Sequence, residues 1–178
     1  MANTSVRKTL GSYRSPYIVS LMRLIETQSK ETIAAWCLGY AETVILPVFE
    51  KHCPGDERPR MALCAARRWF DGEAKLPEVR HIILNECHAA ARECEENPAA
   101  QAAARACGQA ASCCHMPAHA LGIAFYGAAA IAYDTVGVAE TPEVYERIAA
   151  EECANMEAAL RAIAVENEPN PAKVKWRI

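Results

Sequence analysis

Apolar residues recur along this chain with a helical period, interrupted at intervals by proline, glycine and short polar residues that cap helices. From Pro16, the positions Ile18, Leu21, Met22, Leu24 and Ile25 repeat at spacings of three and four and predict a first helix. Ser29 is placed to cap a second, over about 30–51, whose apolar side carries Ile33, Trp36, Cys37, Tyr40, Val44, Ile45, Val48 and Phe49. Pro47 falls inside it and predicts a bend or a break. The run from His52 to Asp56 reads as a turn, and a third helix follows with Met61, Leu63, Cys64, Ala66, Trp69 and Phe70, stopping at Asp71 and Gly72. Pro77 opens a fourth that runs to about Glu95, with Val79, Ile82, Ile83, Cys87, Ala90 and Ala91 on its apolar side. Asn97 and Pro98 cap a fifth, which Pro117 should interrupt near Cys114 to Met116 before a further helical run over about 118–133. Thr141 and Pro142 start a last long helix, with Val144, Ile148, Cys153, Met156, Leu160 and Ile163 facing inward and its glutamates outward. Residues 1–15 lack periodicity and are expected to be loosely ordered, 16–166 to form a single helical domain, and 167–178 to form a short tail. The fold class is therefore all-α: a compact bundle of about seven helices.

The composition sharpens one part of that picture. Between Pro98 and Tyr133 alanine dominates, and the sole residue of fixed charge is Arg105. Such a stretch must be covered by the rest of the chain, by a partner or by lipid. Alanine is a weak lipid anchor, and Gln109, Ser112, His115 and His119 would each need a hydrogen-bond partner there, so a buried central helix pair is expected rather than a membrane hairpin. With 52% hydrophobic and 23% charged residues in 178, the chain has the balance of a soluble domain.

A net charge of −3 gives no attraction to nucleic acid or to an anionic membrane. The first thirty residues are locally basic, with Arg7, Lys8, Arg14, Arg23 and Lys30 against Glu26. The opening MANTSVRKTL has no secretory pattern, so the nine cysteines are expected to be reduced, mostly buried thiols in a cytoplasmic protein. None of them forms a CxxC pair, and no phosphate-binding, dinucleotide, nucleophile-elbow or HExxH pattern is present. No cofactor is expected.

Three groups of residues could carry function. His115 and His119 lie four apart, the spacing by which one helix face presents two ligands to zinc, with Cys113 and Cys114 just before them. The plainer reading is a pair of core histidines, and no third ligand is evident. His81 and His88, seven apart, are a weaker pair of the same kind. On the third helix, Arg60, Arg67 and Arg68 lead into Trp69 and Phe70, residue types enriched at binding hot spots. The alternative is that these arginines pair with nearby acids and Trp69 is core. The glutamates of the last helix (Glu143, Glu146, Glu151, Glu152, Glu157) could form an acidic face for a basic partner, or a simple solvated surface.

Several runs together resemble a known family. They are Trp36 and Cys37, Val48 to Glu50, Pro54, Asp56 to Arg60, Ala65 to Trp69 and Gly72, then Ala89 to Arg92, Ala102 to Ala106, His115 to Gly122, and Tyr126. Over about 34–130 the chain is similar to bacterial immunity proteins with the five-like immunity domain of polymorphic toxin systems. Cys107, Cys113 and Cys114 depart from that pattern as small-for-small exchanges. The resemblance implies a helical protein that binds and neutralises a cognate toxin, and it supplies no catalytic residues. The positions it marks as fold-bracing or partner-facing are Trp36, Asp56, Arg58, Arg60, Arg67, Trp69, Arg92, Arg105, His115, His119 and Tyr126. A metal- or small-molecule-binding bundle using His115 and His119, with or without enzymatic activity, stays open as the alternative, as does a homo-oligomer packed through the alanine-rich helices.

Overall fold

The computed structural model describes residues 6–176; residues 1–5 and 177–178, the outer ends of the two terminal segments, lie outside the described residues. Seven helices and no strand occur among the described residues. α1 (Pro16–Ile25) begins on its proline, and the Ser29 hydroxyl accepts the Thr32 amide 3.2 Å away to start α2 (Lys30–His52). α3 (Arg58–Phe70) ends where Gly72 takes a left-handed φ of 76°. α4 covers 76–93, and α5 (Pro98–Ser112) is capped by the Asn97 side chain on the Ala100 amide at 3.1 Å. A turn and one 3₁₀ turn (Pro117–His119) lead into α6, 120–136, and α7 (Pro142–Ile163) closes the bundle.

α5 is the axis. It packs against α2, α3, α4 and α6, and eleven of its fifteen residues are buried. Its alanines let neighbouring backbones close in, so α5 and α6 form the expected central pair. α7 lies across α6, α1 and α2. The apolar side of α2, including Ile33, Cys37, Ile45, Leu46 and Phe49, is fully buried in this core. By length and hydropathy α2 could cross a bilayer, but 61% of that window is already buried inside the bundle.

Pro47 does not end α2. The helix widens over Ala41–Ile45, where the Leu46 amide reaches back five residues to the Ala41 carbonyl. That π-type turn shifts the hydrogen-bond register ahead of the proline and removes the clash its ring would otherwise make. Similar wide turns occur at Ile82–Cys87 in α4 and at Ile123–Gly127 in α6.

Other expectations also change. Glu152 on α7 does not face water: it is 6% exposed, and its Oε1 accepts the Tyr40 hydroxyl at 2.6 Å. Ile163, expected inside, is 46% exposed at the last position of α7, and Met61 and Cys64 on α3 are exposed as well. The segment expected to be loosely ordered is packed down from Leu10 onward. Leu10 is buried and donates its amide to the Phe125 carbonyl at 3.1 Å, and Tyr13 meets the Phe125 ring edge-on. The tail returns along the α1–α2 turn, where the Gln28 side chain and backbone bond to Val165 and Ala172.

Candidate functional site

The arginines of α3 are tied into the fold. Arg58 binds Asp56 through its backbone amide and guanidinium, with the closest contact at 2.7 Å, and forks onto Glu93 of α4 at 2.6 and 3.0 Å. Its hydrogen bonds hold the Asp56 carboxyl below its usual range against the opposing effect of burial. Arg60 pairs with Glu50, and Arg67 forks onto Glu42 at 2.6 and 2.7 Å, so both arginines clamp α3 to α2. Of the nearby acids Asp56, Glu57 and Asp71, only Asp56 forms an ion pair with these arginines, through Arg58; Arg60, Arg67 and Arg68 pair with Glu50, Glu42 and Glu78 of the neighbouring helices. Trp69 is partly buried edge-on against Phe70. Trp36 is 3% exposed and donates its indole N–H to the Met156 carbonyl at 3.0 Å. Of the sequence-marked positions, this half braces the bundle.

Of the other half, Arg105 lies on α5, His119 bonds to that helix and Tyr126 lines a cavity beside it, whereas Arg92 and His115 do not join them. Gln101, Arg105 and Gln109, spaced by four, form a polar stripe on a helix otherwise built of small residues. Gln101 donates to the Ala91 carbonyl at 3.0 Å, and Gln109 Oε1 meets His119 Nδ1 at 2.7 Å. Gly122 is required where Gln109 passes, because a β-carbon there would collide with the Gln109 side chain. Gly108 plays the same part for His88: a β-carbon at 108 would sit 2.5 Å from the imidazole Cε1. Burial, then the charges of Arg105, Arg92 and His119, push the His88 imidazole below its usual range, so it is held neutral. His88 Nδ1 and Arg105 Nε are buried without a hydrogen-bond partner among the described residues. Arg92 itself is exposed.

Two cavities open onto this stripe. The larger, about 450 Å³, is walled by Gln109 and His119 together with Tyr13, Phe125, Tyr126 and Trp176. The smaller, about 260 Å³, is lined by Gln101 and Arg105 with Arg7, Lys8 and Glu95. The N-terminal segment borders both, through Arg7 and Lys8 on one side and Thr9 and Tyr13 on the other.

His115 and His119 do not share a helix face. Helix α5 ends at Ser112, His115 falls in the turn and His119 in the 3₁₀ turn, leaving their rings 6.0 Å apart and tilted. Burial lowers the His115 pKa, and its Nδ1 faces the Cys114 sulfur at 3.7 Å. Among the described residues, no group of three His, Cys, Asp or Glu side chains converges as a metal site. His81, paired in the sequence with His88, is exposed and bonded to Asn85.

The sequence marks His88 only as the partner of His81 and Gln109 only as a polar residue needing a hydrogen bond, and it does not mark Gln101 at all. The available signal was the four-residue repeat of Gln101, Arg105 and Gln109 in an alanine background. The place of His88 beside the stripe was not legible, because only the packing of α4 on Gly108 brings it there.

The motif residues thus divide between a bracing belt on α3 and a polar stripe beside two cavities. The family model described as Imm-5 like putative immunity protein matches residues 23–159. The chain belongs to that family. No curated protein and no solved structure matches it. The matched span of this Imm-5 like chain runs from Arg23 in α1 to Ala159 in α7 and contains the whole stripe. It leaves out Arg7, Lys8, Tyr13 and Trp176, the cavity walls supplied by the two terminal segments.

Proposed function

We propose that this Imm-5 like protein is an immunity factor that binds and neutralises a cognate bacterial toxin in the cytoplasm, without chemistry of its own. The larger cavity is where it takes hold of that toxin. The observation that carries this reading is the wall of Tyr13, Phe125, Tyr126 and Trp176 around the polar pair Gln109 and His119. Tyrosine and tryptophan combine large contact area with few rotatable bonds, and hot spots concentrate in pockets of this composition. Met116, 37% exposed at the rim, adds an adaptable apolar side chain. The acidic residues of α7 support this role less. Glu152 is buried, and Glu146 and Glu157 already hold Tyr17 and Arg161.

The test is co-expression with the products of adjacent genes, followed by affinity purification. A toxin-like neighbour should co-purify and lose its toxicity, and Tyr126→Ala should weaken the complex by about 30-fold or more, the scale of one aromatic hot spot. Arg60→Ala, in the bracing belt, should leave it unchanged. Absence of any complex with such a neighbour, or equal binding by Tyr126→Ala, would overturn the reading.

A further inference from the structure

We propose that the smaller cavity is an anion site built on Arg105, and that it takes a phosphoryl group, either free phosphate or the phosphate end of a monoester. This goes beyond toxin binding and uses a different cavity. Arg105 is the sole fixed charge between Pro98 and Tyr133, carried on the most buried helix of the bundle. A guanidinium there needs acceptors, because its Nε is buried away from water with no partner among the described residues. The contrast with α3 is direct: Arg58, Arg60 and Arg67 each have a carboxylate at ion-pair distance, and Arg105 has none among the described residues. Glu95 lines the same cavity yet forms no ion pair with it.

The charge balance points to the class of ligand. Arg7, Lys8 and Arg105 face the cavity against Glu95 alone, three cations to one anion, a surplus of two. A phosphate dianion matches that surplus and offers several acceptor oxygens to the planar guanidinium fork, which binds such groups through two parallel hydrogen bonds. The chamber, about 260 Å³, has room for the anion and for a short ester. Gln101, beside Arg105 in the stripe, keeps its amide on the Ala91 carbonyl and so leaves the guanidinium unobstructed.

The experiment is thermal unfolding of the full chain in sodium phosphate against sodium chloride at matched, low ionic strength, repeated with glycerol 3-phosphate. For a Kd of about 1 mM, 10 mM phosphate should shift the folding equilibrium ~11-fold and raise the melting temperature by about 4 °C. A larger rise with the ester assigns the site to a phosphorylated molecule, and a rise with phosphate alone assigns it to the free ion; both support the proposal. Arg105→Gln, which keeps a good helix former in place, should reduce the shift to about 1 °C or less. Should that variant fold poorly, Arg7→Gln with Lys8→Gln, at exposed positions, should weaken phosphate binding several-fold. No phosphate-specific rise in the natural chain, or an equal rise in the variants, refutes the site. Neither outcome touches toxin binding, whose test residue Tyr126 lines the other cavity.

Discussion

Tyr40→Phe removes one oxygen and isolates one hydrogen bond that ties α2 to α7. Tyr40 is 8% exposed and Glu152 6%, and the phenol donates to the carboxylate at 2.6 Å. Burial first, and then the adjacent carboxylate, push the Tyr40 pKa far above its usual range, so the phenol stays protonated as a donor. After the substitution Glu152 keeps only a long contact from Asn155 at 3.4 Å. A hydrogen bond to a charged group contributes about 1.5–3 kcal/mol, and little solvent reaches this pair to replace it. A chain of this length has an unfolding entropy of about 0.4 kcal/mol/K, so a loss of about 2 kcal/mol lowers the melting temperature by about 5 °C. Urea unfolding should show the midpoint falling with the slope unchanged. In a Glu152→Gln background the same Tyr40→Phe change should cost about half as much, because a neutral acceptor binds the phenol less strongly. A melting temperature within 1 °C of the natural chain, or equal costs in both backgrounds, would refute the claim that Glu152 is held inside by Tyr40.

Arg58→Met should lower stability at pH 7 and make it less dependent on acid. Asp56 and Glu93 have pKa values depressed in the folded state by their hydrogen bonds to Arg58. Their stabilisation is therefore present above the unfolded carboxylate range and is lost as pH falls through the folded values. The gap in melting temperature between natural and variant chains should close below about pH 4, and a gap that widens there would contradict the linkage. The thiols should divide by burial: with an aromatic disulfide reagent at pH 8, exposed Cys64 reacts first, and part-buried Cys53 and Cys94 follow slowly. The six buried cysteines should react only on unfolding; a fourth thiol reacting in the native protein would show that the core is more open than described.

Most of the fold was legible because its boundaries are written in local chemistry. Pro16, Ser29, Pro77, Asn97, Pro98 and Pro142 start helices for reasons that concern only their own backbone. The misreadings came from interactions that reach further. Pro47 sits inside an unbroken helix because a wide turn before it changes the register, which no residue-by-residue rule announces. Glu152, expected to face out, lies four residues from both Ile148 and Met156 on the inward side, and the hydroxyl that compensates its charge lies 112 residues away. The arginines of α3 could be expected to find acids, but which acids depended on how α2 and α4 flank them.

The stripe on α5 shows how few long polar side chains a bundle with so small-sided a centre holds. Alanine and glycine offer neighbours nothing but proximity, so each long polar side chain on that helix must be bonded by an adjoining element or face a cavity. Gln101 is bonded by the Ala91 carbonyl and Gln109 by His119, which fixes both as parts of the scaffold. Arg105 is not bonded in this way, and the residues that close the space around it and around Tyr126 include the terminal segments outside the family-matched span. Substitutions at Arg7, Lys8, Tyr13 or Trp176 can therefore reshape the cavity walls while α5 and the α3 clamps remain as they are. In the immunity role proposed above, that separation would let specificity change without endangering the fold.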